Sequence, residues 1–131
     1  MSETIARALY DAFGRDDHDG MFAVFHPDVR FDLTNSGIPG LTGRGRGHAE
    51  MREAWVSWRS GWDSYDLRPQ EYIEVGDKVL VLMHVTARSR SQGLELERRF
   101  ADLLTCRDGL IVEFANFADW ETARSDLGLD S

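Results

Sequence analysis

The residue in this chain best placed to do chemistry is Asp102. It sits in a stretch that alternates from residue 94 to 106. One face of that stretch reads Leu94, Leu96, Arg98, Phe100, Asp102, Leu104, Cys106; the other carries Glu95, Glu97, Arg99, Ala101, Leu103 and Thr105. Successive side chains of a strand point to opposite faces, so Asp102 interrupts the more apolar one. A second interruption follows on the next alternating run, where Leu110, Val112, Phe114, Asn116 and Ala118 share a face. Two consecutive antiparallel strands, about 4.8 Å apart, place these two faces together. A β-bulge would shift that assignment by one residue. A carboxylate in an apolar wall is costly unless it is paired or protonated. Desolvation raises its pKa toward the range useful for general acid–base work. The competing reading is a structural aspartate bonded to Arg98, Asn116 or a tyrosine. Arg98 lies about 13 Å away along the strand, which disfavours a direct pair.

His84 is a second candidate acid–base group. It lies in the row Leu80, Leu82, His84, Thr86, Arg88, opposite Val79, Val81, Met83, Val85 and Ala87. Both rows begin apolar, so this strand is either central or packed on a partner subunit. His84 is then a pocket group or a satisfied histidine at the edge of a core or interface.

Other chemistries lack their signatures. Gly43-Arg44-Gly45-Arg46-Gly47 has the glycines of a phosphate loop but no Lys-Ser/Thr and no strand leading into it. His18, His26, His48 and His84 have no metal-ligand spacing and no cysteine pair beside them, so no metal and no cofactor are expected. There is no Gly-x-Ser-x-Gly elbow for a serine hydrolase.

The elements that must hold these residues follow from periodicity. Ser2 or Thr4 can cap a first helix with Ile5, Leu9, Ala12 and Phe13 on one stripe. A short second helix carries Met21, Phe22, Val24 and Phe25, and His26-Pro27 ends it. Residues 29–33 alternate as a strand, and 34–47 read as a loop containing Pro39. From about Gly47 a helix places Met51, Trp55, Trp58 and Trp62 along one face. Strands are predicted at 65–75, irregular at Pro69, and at 79–88. A polar loop at 89–93 leads to strands at 94–106 and 110–118, which an Asp108-Gly109 type I′ turn joins. Asp119 can cap a last helix that Gly128 stops. Helices first and hairpin-connected strands afterwards predict an α+β domain, with helices on one face of a mostly antiparallel sheet. The tryptophans then form core and pocket wall, with Phe31, Phe100, Phe114 and Met83 as further apolar lining.

Bulk properties bound the partners. The chain has 131 residues, enough for a single domain over 1–131 with a real core. Its net charge of −8 disfavours nucleic acid and anionic membranes. One cysteine, Cys106, excludes an intrachain disulfide and fits a reducing, cytoplasmic setting. The first residues have no apolar signal core, and no stretch approaches a membrane span. The expected partners are a small apolar molecule and, through the two-faced strand at 79–85, a second copy of the chain.

The pattern as a whole resembles the SnoaL-like group of the nuclear transport factor 2-like superfamily, over about residues 3 to 129. It is carried by Tyr10-Asp11-Ala12-Phe13-Gly14-Arg15-Asp16-Asp17, by Phe25-His26-Pro27-Asp28-Val29, and by Gly43 before the tryptophan-bearing helix. Gly76-Asp77-Lys78-Val79-Leu80-Val81, Arg107-Asp108-Gly109-Leu110-Ile111-Val112 and a tail with Asp119, Ala123, Gly128 and Leu129 complete it. Each piece is loose; their order and spacing are specific. The resemblance implies a cystatin-like cone, with three to four helices packed on a strongly curved sheet, and often a homodimer through that sheet. Members include polyketide cyclases, ketosteroid isomerase, limonene epoxide hydrolase and non-catalytic binders, so fold alone does not fix function. Asp102 takes the place of the isomerase's oxyanion-hole aspartic acid, a carboxyl kept protonated by an apolar site. The isomerase's helix tyrosine falls on Leu9, with Tyr10 beside it. Its base falls on Leu33, with Asp32 beside it. The epoxide hydrolase's Arg-x-Asp pair falls on Met83 and Val85, and its other aspartate on Asn116. The cyclases resemble this chain in relying on one aspartate. The resemblance therefore implies a cofactor-independent isomerase, cyclase or related lyase. Asp102 would be its acid–base group, with Asn116, Tyr10, His84 or Asp32 orienting a polyketide- or steroid-like ring. The alternative it leaves open is a binding or accessory domain. A second titratable group within reach of Asp102 in an open cavity favours the enzyme. A cavity filled by Trp55, Trp58 and Phe114 favours the binder.

Overall fold

Alternating apolar stripes require helices laid on a sheet, and the computed structural model, which describes residues 2–36, 43–89, 93 and 95–128, arranges them that way. Helix α1 (Ser2–Gly14) buries Ala6, Leu9, Tyr10 and Ala12, with Ile5 and Phe13 half-buried beside them. Its buried stripe is thus one position wider than the spacing of its large apolar residues, and Tyr10 is inside it. Helix α2 (His18–Ala23) is capped by the Asp17 side chain on Gly20 N and buries Met21 and Phe22.

Strand β1 (Phe25–Asp32) begins before the expected helix stop at His26-Pro27. Pro27 is tolerated because pairing with β6 slips between Phe25 and Arg30, so no regular ladder needs its missing N–H. The predicted loop at 34–47 contains a short strand, β2 (Arg44–Arg46), antiparallel to β1. Helix α3 (Gly47–Arg59) ends before Trp62. Trp62 opens strand β3 (Trp62–Val75) instead of closing the helical stripe, yet still packs on Trp58 at 6.1 Å between ring centroids. The ladder of β3 shifts between Pro69 and Glu71, as proline demands.

Strands β4 (Lys78–Ser89), β5 (Glu95–Arg107) and β6 (Leu110–Phe117) complete a sheet of order β2-β1-β6-β5-β4-β3. Only β1 and β6 run parallel. Asp108 and Gly109 hold φ of 53° and 81° between β5 and β6, the left-handed pair that a type I′ turn needs. Helix α4 (Trp120–Asp126) starts at Asp119, whose side chain accepts from Thr122 N at 2.7 Å, and ends before Gly128. The Ser2 side chain, the loop segments 37–42 and 90–92, the strand start at Leu94 and the tail at Leu129 lie outside the described residues.

The molecule is α+β, four helices on a six-stranded, mostly antiparallel sheet. The larger core lies between α1, α2, α3 and the inner face of the sheet, and takes Val79, Val81, Met83 and Val85 from β4 and Phe100, Leu104 and Cys106 from β5. A smaller core on the outer face joins Leu80, Leu82, Ala101, Leu103 and Phe117 to Ala123 of α4. Trp120 fastens α4 there by donating Nε1–H to the carbonyls of Met83 and Phe100 at 3.2 and 3.0 Å. Both rows of β4 are therefore covered within one chain. Among the described residues no helix is long and apolar enough to cross a membrane.

Candidate active site

The ladder between β5 and β6 pairs Asp102 directly with Asn116. Both point to the inner face, as alternation predicts. The expected face of β6 is only partly right. A bulge opposite Thr105 and Cys106 slips the register, so Ile111, not Leu110 or Val112, enters the inner core. Alternation recovers by Phe114, which keeps Asn116 inside.

Asp102 is 3% exposed and is held by two donors. Tyr10 Oη, arriving from α1, donates to Oδ2 at 2.6 Å, and Asn116 Nδ2 donates to Oδ1. Of the partners open to it from sequence, Asp102 thus bonds a tyrosine and the asparagine. Burial raises its pKa from the ordinary 3.8 to about 7, against the opposing pull of the Tyr10 and Asn116 hydrogen bonds. Burial, followed by the neighbouring charge of Asp102, pushes the Tyr10 hydroxyl well above the usual phenol range. The same two causes raise Tyr65.

These groups open onto a cavity of about 100 Å³. Its walls include Trp55 and Trp58 of α3, Phe31 of β1, Phe100 of β5 and Phe114 of β6. Tyr65 and Leu67 of β3 close the far side. In a flat sheet β1 and β3 would stand about 19 Å apart, four strand spacings. Both line this one small cavity, so the sheet must curve around it. The only titratable side chains on the wall among the described residues are Tyr10, Tyr65 and Asp102. The three aromatic groups that could have filled the space, Trp55, Trp58 and Phe114, line it and leave it open.

Three expected site residues lie elsewhere. His84 is half-buried on the outer row of β4 beside Leu80 and Leu82, with Arg68 and Arg99 opposite it on the neighbouring strands. The inner row is the one that starts at Val79. Asp32 faces the outer side of β1, where its carboxylate accepts from Thr34 Oγ1 at 2.5 Å and pairs with Arg44 at 3.2 Å. Met83 is fully buried in the inner core but does not reach the cavity wall. Sequence reasoning missed Tyr65. Its signal was available: Tyr65 and Leu67 alternate with Asp66 and Arg68 at the start of β3, a polar-tipped aromatic in an inward row.

Two buried polar atoms, Trp58 Nε1 and Asn116 Oδ1, have no hydrogen-bond partner among the described residues. Among the described residues no three His, Cys, Asp or Glu side chains converge as metal ligands.

A family model for the SnoaL-like domain matches residues 6–114. An NTF2-like protein of unknown function from Burkholderia pseudomallei is 26% identical, with 99% of this chain and 98% of that one covered and a TM-score of 0.80. TerC, crystallised with polyporic acid, is 25% identical over 99% of this chain and 98% of its own, with a TM-score of 0.77. A protein of unknown function from Xanthomonas campestris shares the cystatin-like fold at a TM-score of 0.80, 23% identity, and coverage of 99% and 98%. No curated protein matches the chain.

Proposed function

The chain belongs to the SnoaL-like domain family, and from that premise we propose that it is a cofactor-independent isomerase or cyclase acting on a small ring carbonyl compound. The observation that carries the reading is Asp102: a buried carboxyl with a pKa of about 7, held by Tyr10 and Asn116 on the wall of an open apolar cavity. A pKa near neutrality suits a group that must both take and return a proton. Asp102 is the only carboxyl on the wall among the described residues, so it is assigned as the acid–base group itself. A role limited to donating a hydrogen bond to an enolate would need a second base there.

The carboxylate takes a proton from the carbon next to the carbonyl. The C–H electron pair becomes the C=C bond of the enolate, and the carbonyl pair moves to oxygen. Protonated Asp102 then returns the proton to another carbon of the conjugated system, which moves the double bond. Tyr10 and Asn116 keep the carboxyl oriented while its charge appears and disappears. The cavity has room for about one ring, so larger ligands would leave their remaining rings in the mouth. The crystallisation of TerC with polyporic acid supports an organic ligand for this fold.

The minimal test is conversion of 3-cyclohexen-1-one to its conjugated isomer, followed by ultraviolet absorbance. The expected rate rises with pH through about 7, as Asp102 ionises. Asp102→Asn should lower it by about 10²-fold or more. An unchanged rate in that variant would remove Asp102 from the chemistry. A wild-type rate equal to that of buffer would favour the second reading, a non-catalytic ligand-binding domain with the same apolar walls. A homodimer through the outer face of the sheet is also part of the proposal.

A further inference from the structure

When Asp102 takes a carbon-bound proton, the carbonyl oxygen of the ring becomes an enolate oxygen. An anion in an apolar cavity needs a hydrogen-bond donor. Tyr10 cannot supply it, because it has one O–H and gives it to Asp102 Oδ2 at 2.6 Å. Asn116 is 3% exposed and also turns its NH₂ to Asp102. Among the described residues one other hydroxyl stands on the wall, that of Tyr65 on β3.

The Tyr65 hydroxyl is uncommitted and touches open space. It makes no hydrogen bond among the described residues, and the unpartnered polar atoms sealed away from open space there are Trp58 Nε1 and Asn116 Oδ1, not Tyr65 Oη. Burial is the main cause that holds the Tyr65 hydroxyl well above the usual phenol range, so its oxygen lies inside the protein and keeps its proton. An oxygen that is inside and still touches open space faces the cavity that Tyr65 lines. The charge of Asp102 is the second cause, which sets both groups on the same space. The ring is also held in place. Its centroid lies 4.5 Å from that of Trp58, 5.2 Å from Phe13 and 6.1 Å from Trp55. The Arg59 guanidinium lies 5.8 Å from it and is itself anchored by donating to the Trp62 carbonyl at 2.8 Å. A donor fixed before the ligand arrives needs no reorganisation as charge develops.

We propose that Tyr65 is a further catalytic residue, whose O–H donates to the carbonyl oxygen of the bound ring and stabilises it as the enolate charge develops. The proton stays on Tyr65 throughout, and the only proton that moves is the one Asp102 takes and returns. The two tyrosines of the wall thus divide the work: Tyr10 serves the carboxyl and Tyr65 the substrate. This rests on the reading of the cavity as the place where Asp102 enolises a ring ketone.

Infrared spectroscopy of bound 2-cyclohexen-1-one, the product of the test reaction, reads this hydrogen bond without turnover. Its C=O stretch should lie below the value in hexane when bound to the wild type or to Tyr10→Phe, and return toward that value in Tyr65→Phe. With 3-cyclohexen-1-one as substrate, Tyr65→Phe should lower kcat by about 10²-fold, with at most a few-fold rise in KM. A stretch at the hexane value in the wild type overturns the proposal, whether or not the variants fold. A shift that survives Tyr65→Phe, or that vanishes in Tyr10→Phe, assigns the donor to another group and overturns it too. An unchanged kcat in Tyr65→Phe removes the catalytic role. Asp102→Asn tells this proposal apart from the reading it rests on, since that variant should lose turnover and keep the shifted stretch. If 2-cyclohexen-1-one does not bind the wild type, the pocket reading and the role of Tyr65 fail together.

Discussion

Ionising Asp102 places a charge in a wall made of aromatic rings, and the fold bears that cost. With its pKa moved from 3.8 to about 7 by burial, the native protein holds a proton between those values that the unfolded chain has already released. Stability contributed by this group is therefore full below about pH 4 and falls as pH rises to about 7. The fall is about 4 kcal/mol over that window, and it stays lost at higher pH. An asparagine in its place would carry no such charge while still accepting from Tyr10. Urea unfolding of the wild type and of Asp102→Asn should accordingly diverge between pH 5 and pH 8, with the variant gaining relative stability at the higher pH. Parallel curves would show that Asp102 does not titrate across this window. The site residues that could be read from sequence were those fixed by a strand's period of two. Asp102 and Asn116 were found because each broke an apolar row. Tyr10 was harder to place, because one step along a helix is about 100° and the width of the buried stripe depends on what packs against it. His84 could not be assigned to a side at all. Both rows of its strand are apolar, and only the return of α4, distant in sequence, makes the Leu80 row the outer one.

Elements place the walls, and two of their junctions were not legible locally. The bulge between β5 and β6 reverses the faces of Leu110, Ile111 and Val112, and nothing in the alternation marks where a ladder slips. Strand β2 is only three residues long, exists because β1 offers it an edge, and carries no periodic signal of its own. It matters to the cavity through Gly45. Gly45 pairs with Phe31 across the ladder, and a Cβ there would run into the Phe31 ring and crowd the Glu50 carboxylate. Glu50 in turn accepts from Arg46 N at 3.0 Å, fastening α3 to β2. Gly45 thus lets Phe31 lie flat enough to line the pocket while α3 stays attached. Gly45→Ala should push Phe31 into the cavity and cost about 1–3 kcal/mol of stability from overpacking. It should also weaken binding of ethylbenzene. A lower urea midpoint with weaker calorimetric binding is the expected pair of results. Unchanged values for both would mean that the β2–α3 junction is not what sets the position of Phe31.

For the molecule as a whole, the proposed homodimer makes a prediction about the outer face of the sheet. The sequence argument for a partner was the doubly apolar strand at 79–85, but α4 already covers its outer row. Among the described residues the large apolar side chains left exposed are Val56 and Val75, at 55% and 37%, too few and too separate to build an apolar interface. The case for a homodimer rests instead on charge. Arg30 of β1 lies between Arg46 of β2 and Glu113 of β6 in the ladders, all three on the outer face. None of the three side chains has an ion-pair partner among the described residues. Two like charges directly opposite each other are destabilising unless something offsets them. A twofold axis over this face would set Glu113 of each copy against the arginines of the other, the self-complementary contact that an isologous dimer needs. Sedimentation at micromolar protein and low salt should give a species of ~30 kDa, twice the 14.9 kDa chain. Near 1 M salt the Debye length falls to about 3 Å, and the same sample should shift toward the single chain. Glu113→Lys should leave the single chain at any salt concentration. One species at the mass of a single chain in low salt would refute the dimer, and a dimer indifferent to both salt and Glu113→Lys would place its interface elsewhere.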